Sequence, residues 1–163
     1  MLFAQKALGL QPSPFDTWLI TRGIKTLPLR LERQTKSASE LANQLANHPL
    51  INSVSYPFRL DHPQQEIAVK QMQSGGAIIA ITINGSRNDA YNFCKKLNFF
   101  TMAESLGGVE SLVCHPATMT HASVRPEIKE KVGITDSLIR FSVGCEDLED
   151  LSEDLNQGLD MLK

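Results

Sequence analysis

The chain has 163 residues, of which 42% are hydrophobic and 21% charged, and its formal net charge is −2. This length and composition are typical of one globular domain that can bury a core of its own. The near-neutral charge argues against a protein that binds nucleic acid electrostatically, because such binding needs a concentrated basic face. No uninterrupted apolar run approaches the length of a membrane span.

The first part of the chain predicts helices. A short helix ends near Gly9, and Ser13 followed by Pro14 predicts the cap and first turn of a second helix. A longer helix begins at Thr26 or Leu27, and we expect its apolar residues to lie roughly on one side. These residues are Leu29, Leu31, Ala38, Leu41, Leu45 and Ala46. We interpret residues 1–48 as linking helices and residues 49–163 as an α+β sandwich.

The rest of the chain interleaves strands with helices. The strongest strand signal is Ala77–Ile83, a continuous β-branched run bounded by turn residues. The other extended segments that we predict are Ile51–Tyr56, Phe99–Met102, Val109–Val113 and Ser137–Val143. The predicted helices are Gln64–Met72, Arg87–Leu97, Arg125–Lys131 and Glu146–Leu162, the last with its leucines directed inward. This order favours an α+β fold in which helices pack on one face of a small sheet.

The cysteines and histidines do not predict a metal site. Cys94, Cys114 and Cys145 are an odd, sparse set rather than a disulfide framework, so we expect a reducing compartment, the cytoplasm. His115 and His121 lie near Cys114, but their spacing matches no structural zinc pattern, and adjacent residues of a strand point to opposite faces. We interpret both histidines as hydrogen-bonded structural residues of a loop.

The segment 104–112, Glu-Ser-Leu-Gly-Gly-Val-Glu-Ser-Leu, combines carboxylates, hydroxyls and a glycine pair. Gly107 and Gly108 lack the strand–turn–helix setting of a dinucleotide fingerprint, so they predict a turn whose backbone can come close to a ligand. Glu104 and Glu110 would form an acid–base pair only if the loop folds back, and a capping or interface role fits them equally.

Arg140 stands alone among apolar residues in the strand Ser137–Val143. A charge in such a strand is costly unless an anion meets it, and arginine binds a carboxylate with two parallel hydrogen bonds. From the residues alone, two interpretations stay open. Arg140 either pairs with an acidic side chain of a helix or binds the carboxylate of a ligand.

Three separated blocks of the sequence carry a family resemblance. They are Ser13–Leu27 with Ser-Pro-Phe-Asp and Arg-Gly-Ile-Lys-Thr-Leu, Glu104–Ser123 with Glu-Ser-Leu-Gly-Gly and Met-Thr-His-Ala-Ser, and Leu138–Leu151 with Leu-Ile-Arg-Phe-Ser-Val-Gly. In this order they resemble the cystathionine synthase and lyase family, the pyridoxal phosphate (PLP) enzymes of cysteine and methionine metabolism. The resemblance runs from the first residues to the last. It implies the C-terminal part of such an enzyme, beginning after the cofactor lysine, so that the PLP-binding domain lies outside this chain.

The resemblance implies a fold and an activity. The fold would be the small C-terminal domain of the aspartate aminotransferase-like PLP enzymes, with a small, mostly antiparallel sheet. The whole enzyme would be a cystathionine γ-synthase or a γ- or β-lyase of transsulfuration, usually a homotetramer. It would form an imine with its amino-acid substrate, deprotonate Cα, and eliminate or replace a group at the β or γ carbon. The alternative is a stand-alone, non-catalytic interaction or amino-acid-binding module.

The resemblance also assigns roles to residues. Arg140 matches the arginine that binds the substrate α-carboxylate, and Ser105 matches a serine beside that carboxylate. Glu104 matches a residue of the distal substrate pocket, and Thr120 matches a position at the pocket rim. No lysine of this chain stands in the context of the cofactor lysine. We therefore expect no catalytic residue in the chain and no tight binding of PLP by the chain alone.

Overall fold

A computed structural model of the protein describes residues 2–162, in which three helices are followed by a mixture of strands and helices. The helices are α1 (Leu2–Leu8), α2 (Pro14–Ile24), α3 (Leu27–Ala46), α4 (Gln65–Gln71), α5 (Arg87–Lys96), α6 (Pro126–Lys131) and α7 (Leu148–Asp160). The strands are β1 (Ile51–Ser55), β2 (Ile78–Ile83), β3 (Thr101–Met102), β4 (Leu112–Cys114) and β5 (Leu138–Ser142). Each element predicted from the sequence is present, with its ends shifted by a few residues. No described helix is both long and apolar enough to cross a bilayer.

The strands form one five-stranded sheet in the order β1-β2-β5-β4-β3. The pairs β1–β2, β2–β5 and β5–β4 are antiparallel, and only the short edge pair β3–β4 is parallel. This confirms the expectation of a small, mostly antiparallel sheet. Strand β5, the last in the chain, occupies the middle of the sheet.

The hydrophobic core lies between one face of the sheet and the helices α3, α5 and α7. Because side chains alternate along a strand, Ile139 and Phe141 of β5 enter this core together with Ile79 and Ile81 of β2. Phe141 is fully buried and meets the rings of two other core phenylalanines at centroid distances of 5.1 and 6.3 Å. The predicted packing of helices on one face is confirmed for these three helices.

The terminal helix α7 packs as its leucine spacing predicts. Leu151, Leu155 and Leu159 are buried, and leucines 148 and 162 pack against the same core while remaining partly exposed. The helix begins two residues later than predicted, because the side chain of Asp147 caps it by accepting the backbone N–H of Glu149.

One buried acid joins α7 to the edge of the sheet. Asp154 is 4% exposed, and its carboxylate accepts backbone N–H groups of Asn98, Phe99 and Phe100 just before β3. A buried carboxylate is tolerated when several donors surround it, and here the donors are the otherwise unpaired amides of a turn. This contact fixes where β3 begins.

The expected apolar side of α3 is wrong in its first two turns. Leu29 and Leu31 are exposed, whereas Gln34 and Ser37 are buried. No residue of α3 before Gln34 is buried, because this end of the helix lies away from the sheet and only the later turns meet the core. The spacing of apolar residues predicted the helix and an apolar side, but it could not show which turns of the helix the rest of the protein would cover.

The predicted strand Val109–Val113 is also displaced, since β4 begins only at Leu112. Gly107 has a φ of 78°, a left-handed conformation that favours glycine, and it turns the chain out of an extended path. The N–H of Ser111 donates to the side chain of Glu146 at 2.6 Å instead of joining a strand ladder. Residues 107–111 therefore form a loop.

Helices α1 and α2 contrast with this packed part. Ser13 caps α2 as predicted, because its hydroxyl accepts the backbone N–H of Asp16 at 3.1 Å. Yet no residue of α2 is buried. The large apolar residues that α1 and α2 expose are Phe3, Leu8, Phe15, Trp18, Leu19, Ile20 and Ile24.

Candidate functional site

Arg140 lies on the face of the sheet opposite the core. In β5 it stands between Ala80 of β2 and Cys114 of β4 in the strand register. Its neighbours Ile139 and Phe141 point into the core, so strand alternation directs the arginine to the other face. A middle strand thus supplies one cation, on a rigid backbone, to a surface that the core helices do not cover.

The guanidinium of Arg140 has few partners within the described chain. Its Nη2 donates to the backbone carbonyl oxygen of Ser105 at 3.1 Å, and its buried Nε has no hydrogen-bond partner. Among residues 2–162, no carboxylate lies within the 4.0 Å that defines an ion pair with it. A partly buried cation with unused N–H groups favours an anionic ligand over an internal acid.

The loop of residues 104–112 passes over this face. Ser105 and Glu104 are exposed, and the Ser105 carbonyl is the group that meets Arg140. Further along, the N–H of Gly107 donates to the hydroxyl of Ser142, which stands two residues from Arg140 on the same side of β5. The loop therefore brings the backbone of Ser105 next to the arginine, with Glu104 one residue before it in the chain.

Thr120 reaches the same region by a different route. Its hydroxyl oxygen lies 3.9 Å from the Sγ atom of Cys114, the register partner of Arg140, and 2.8 Å from Nδ1 of His121. The structure thus gathers Arg140, Ser105 and Thr120 on one side of the sheet.

His115 is a structural residue, as predicted. It is fully buried, its Nε2 lies 2.8 Å from the carbonyl oxygen of Asp136, and its Nδ1 lies 2.7 Å from the hydroxyl of Thr118. Since a carbonyl oxygen only accepts, Nε2 donates its proton there, and Nδ1 pairs with the threonine hydroxyl. Within the described range, no three His, Cys, Asp or Glu side chains are grouped closely enough to hold a metal ion.

Two side chains near the loop were missed by the sequence analysis. Gln34 of α3 donates its side-chain N–H to the carbonyl oxygen of Gly108 at 2.6 Å. Glu146 accepts both the N–H and the hydroxyl of Ser111, at 2.6 and 2.8 Å. A lone glutamine on a predicted helix gives no signal for such a contact. Glu146 follows the Leu-Ile-Arg-Phe-Ser-Val-Gly segment closely in the sequence, and this nearness to Arg140 is only a weak indication of a role near the site.

The described residues do not by themselves fit PLP. To hold this cofactor a protein would need a lysine whose amine can react in its uncharged form, which favours a desolvated site. Among residues 2–162 all lysines are exposed except Lys129, which is partly covered. The Nζ atom of Lys129 donates to the carbonyl oxygens of Ala117 and Ala122 at 3.2 and 3.5 Å, so the backbone of this chain already holds it.

Comparison with known proteins identifies the family. Residues 1–160 match the family model described as Cys/Met metabolism PLP-dependent enzyme. The chain is 46% identical to a cystathionine γ-lyase of Dictyostelium discoideum over 158 residues, covering 97% of this chain and 41% of that protein. It is 45% identical to a cystathionine β-lyase of Coxiella burnetii over 157 residues, covering 96% and 41%.

A solved structure agrees with these sequence matches. The cystathionine γ-synthase of Xanthomonas oryzae pv. oryzae, crystallised with aminoacrylate and cysteine, superposes with a TM-score of 0.90 at 42% identity. The match covers 96% of this chain and 40% of that one. The chain spans about 40% of the length of the relatives it matches. From the family model and these relatives together, we conclude that the chain belongs to the Cys/Met metabolism PLP-dependent enzyme family.

Proposed function

We propose that this chain is the C-terminal part of a PLP-dependent cystathionine synthase or lyase, and that it binds the α-carboxylate of the substrate. The observation that carries the proposal is the Arg140 guanidinium, which has an unpaired buried Nε and no internal acid within ion-pair distance in the described chain. Relatives named γ-lyase and β-lyase are almost equally similar, at 46% and 45% identity. The proposal therefore covers the class of reaction and not one member.

Each site residue has a part in this proposal. Arg140 holds the carboxylate through paired N–H groups, while the Ser105 carbonyl keeps Nη2 in place. The Ser105 hydroxyl lies beside the same carboxylate, and Thr120 lies at the rim of the pocket. Glu104, exposed next to Ser105, faces the far end of the substrate and influences which side chain is accepted. A carboxylate fixed at one end limits how the substrate turns, and such orientation lowers the barrier for a reaction at Cα.

The exposed helices support the view that more protein packs against this chain. Trp18 is 55% exposed and Phe3 is 85% exposed, and both belong to the apolar residues of α1 and α2. Contiguous exposed apolar residues mark an interaction surface. We propose that the PLP-binding part of the enzyme, which also carries the cofactor lysine, covers this surface. Residues 1–48 would then link it to one small domain of residues 49–163, in a cytoplasmic enzyme.

Complementation tests the proposal. The full chain would be co-expressed with the N-terminal part of the Xanthomonas oryzae synthase, about 60% of its length, since the match covers 40%. We expect a complex that absorbs near 420 nm with PLP and turns over cystathionine or its precursors, while this chain alone does neither. In the complex, Arg140→Ala should lower kcat/KM by about a hundredfold or more, since it removes a charged bidentate contact.

The matched control is Arg125→Ala, an exposed arginine at the start of α6 for which we propose no ligand, and it should leave kcat/KM within about twofold. A complex that binds PLP and keeps full activity with Arg140→Ala would refute the carboxylate role. A 420 nm band in this chain alone would refute the view that the cofactor lysine lies elsewhere.

A further inference from the structure

The middle of the 104–112 loop is tied to two separate elements. Gln34 of α3 is only 2% exposed, and its side-chain N–H donates to the Gly108 carbonyl oxygen at 2.6 Å. On the other side, the Gly107 N–H donates to the Ser142 hydroxyl of β5 at 2.9 Å. Burying a glutamine amide costs free energy unless the amide is hydrogen-bonded. Moving the turn would break the bond to Gly108 and leave the amide of Gln34 buried without a partner, so this contact fixes the turn.

The end of the loop is held by a second set of contacts around Ser111, which is fully buried. Glu146 accepts the Ser111 N–H and hydroxyl, and the Ser111 Oγ atom accepts the N–H of Gly144 at 2.8 Å. The backbone is so close here that a Cβ atom on Gly144 would lie 2.5 Å from backbone atoms of Val109 and Glu110. A hydrogen bond to a charged acceptor is stronger than one between neutral groups, so Glu146 is the main anchor of this end.

Both anchors act on the contact that orients Arg140. The Ser105 carbonyl, the only acceptor of Arg140 among the described residues, lies two residues before the fixed turn. If the turn moves, this carbonyl moves with it, and the guanidinium loses the contact that sets its direction. Neither Gln34 nor Glu146 needs to touch a substrate for this effect.

We propose that Gln34 and Glu146 are positioning residues, which hold the 104–112 loop so that the Ser105 carbonyl keeps the Arg140 guanidinium aimed at the substrate carboxylate. This inference rests on the proposed function, because it names two residues that prepare the same carboxylate site. It assigns the two residues a role in substrate affinity in addition to their role in holding the loop.

Hydrogen exchange of this chain tests the anchoring without any substrate. In the wild type we expect slow exchange of the Ser111 and Gly144 amides, whose N–H groups belong to the Glu146 network. Glu146→Ala should speed their exchange by about tenfold or more, and Glu146→Gln, which retains an acceptor oxygen, should speed it less. The control Glu149→Ala alters an exposed glutamate one turn later and should leave both amides unchanged. Unchanged exchange in Glu146→Ala would overturn the anchoring.

Kinetics of the complemented enzyme test the positioning. Gln34→Ala and Glu146→Ala should each raise KM about tenfold with a smaller change in kcat, and Glu146→Gln should recover part of the loss. Faster amide exchange with an unchanged KM would overturn the positioning role. Gln34→Ala approaches the loop from α3, so it gives an independent answer where Glu146→Ala fails to fold. Failure of the proposed function has a different signature, because Arg140→Ala would then leave KM unchanged while the exchange results still report on the loop.

Discussion

Helices α2 and α5 begin with the same local chemistry and end in opposite surroundings. Each has a serine cap whose hydroxyl accepts the backbone N–H of an aspartate three residues later, at 3.1 Å in α2 and 3.3 Å in α5. Helix α5 buries Ala90, Phe93 and Cys94 in the core, whereas α2 buries no residue. Local sequence determines that a helix forms and where it begins. What the helix adds to stability depends on the surface that it meets.

The largest expected difference between the packed core and the exposed helix α2 is the free energy of unfolding that is lost when a large side chain is truncated. Phe141→Ala removes a fully buried ring from the core and should lower the free energy of unfolding by about 3–5 kcal/mol. Trp18→Ala removes a larger side chain from exposed α2 and should change it by about 0.5 kcal/mol or less. Urea denaturation of the isolated chain measures both values. Equal losses would mean that α2 is packed in solution.

The stability of the packed core should also decrease at alkaline pH. Burial raises the pKa of Tyr56 to about 12, and its hydroxyl donates to the Gly76 carbonyl oxygen at 3.0 Å. The unfolded chain loses this proton near pH 10, so the stabilisation is complete below pH 10 and is lost as the pH rises towards 12. Between pH 10 and pH 12 the free energy of unfolding should fall by about 2–3 kcal/mol.

Stability against pH, measured for Tyr56→Phe, checks this expectation. The variant should lose less stability than the wild type between pH 10 and 12, and the control Tyr91→Phe, on the exposed side of α5, should follow the wild type. Burial also raises the pKa of Cys94 to about 12, so part of the alkaline loss should persist in Tyr56→Phe. A wild-type slope in Tyr56→Phe would contradict the assignment.

The smallest expected difference concerns the two caps. Ser86→Ala should destabilise the chain by about 1 kcal/mol, because α5 unfolds together with the core. Ser13→Ala removes an equivalent cap and should leave the main unfolding transition within about 0.3 kcal/mol, while the Asp16 amide exchanges faster. In the complemented enzyme, Ser13→Ala should become destabilising if α2 is covered there. A loss that stays near zero would contradict the proposed docking of the PLP-binding part.

Sequence analysis predicted the elements whose signals are local. The capping rule for Ser13 and the spacing of the leucines of α7 hold in any context. It failed where distant parts decide the outcome. The burial of Gln34 depends on a loop more than seventy residues away, and the late start of β4 depends on a bond between Ser111 and Glu146.

The site was predicted in the same uneven way. Alternation within the strand could place Arg140 and Ile139 on opposite faces, but only the resemblance joined Arg140 to Ser105. The structure adds the contact between them. The roles of Glu104 and Thr120 still rest on the resemblance, since neither side chain contacts Arg140 in the described residues. The sequence analysis missed Gln34 and Glu146, which hold the 104–112 loop, because contacts between a side chain and a distant backbone leave no periodic pattern in the sequence.

The place of β5 in the sheet also affects how the chain folds during its synthesis. Of the strands in the described residues it is synthesised last, yet it lies between β2 and β4. Until residue 142 has emerged from the ribosome, the antiparallel pair β1–β2 and the pair β3–β4 cannot join through β5, and each presents an open edge to other chains. The strand that carries Arg140 therefore closes both of these open edges, so the centre of the proposed site is also the element that completes the sheet.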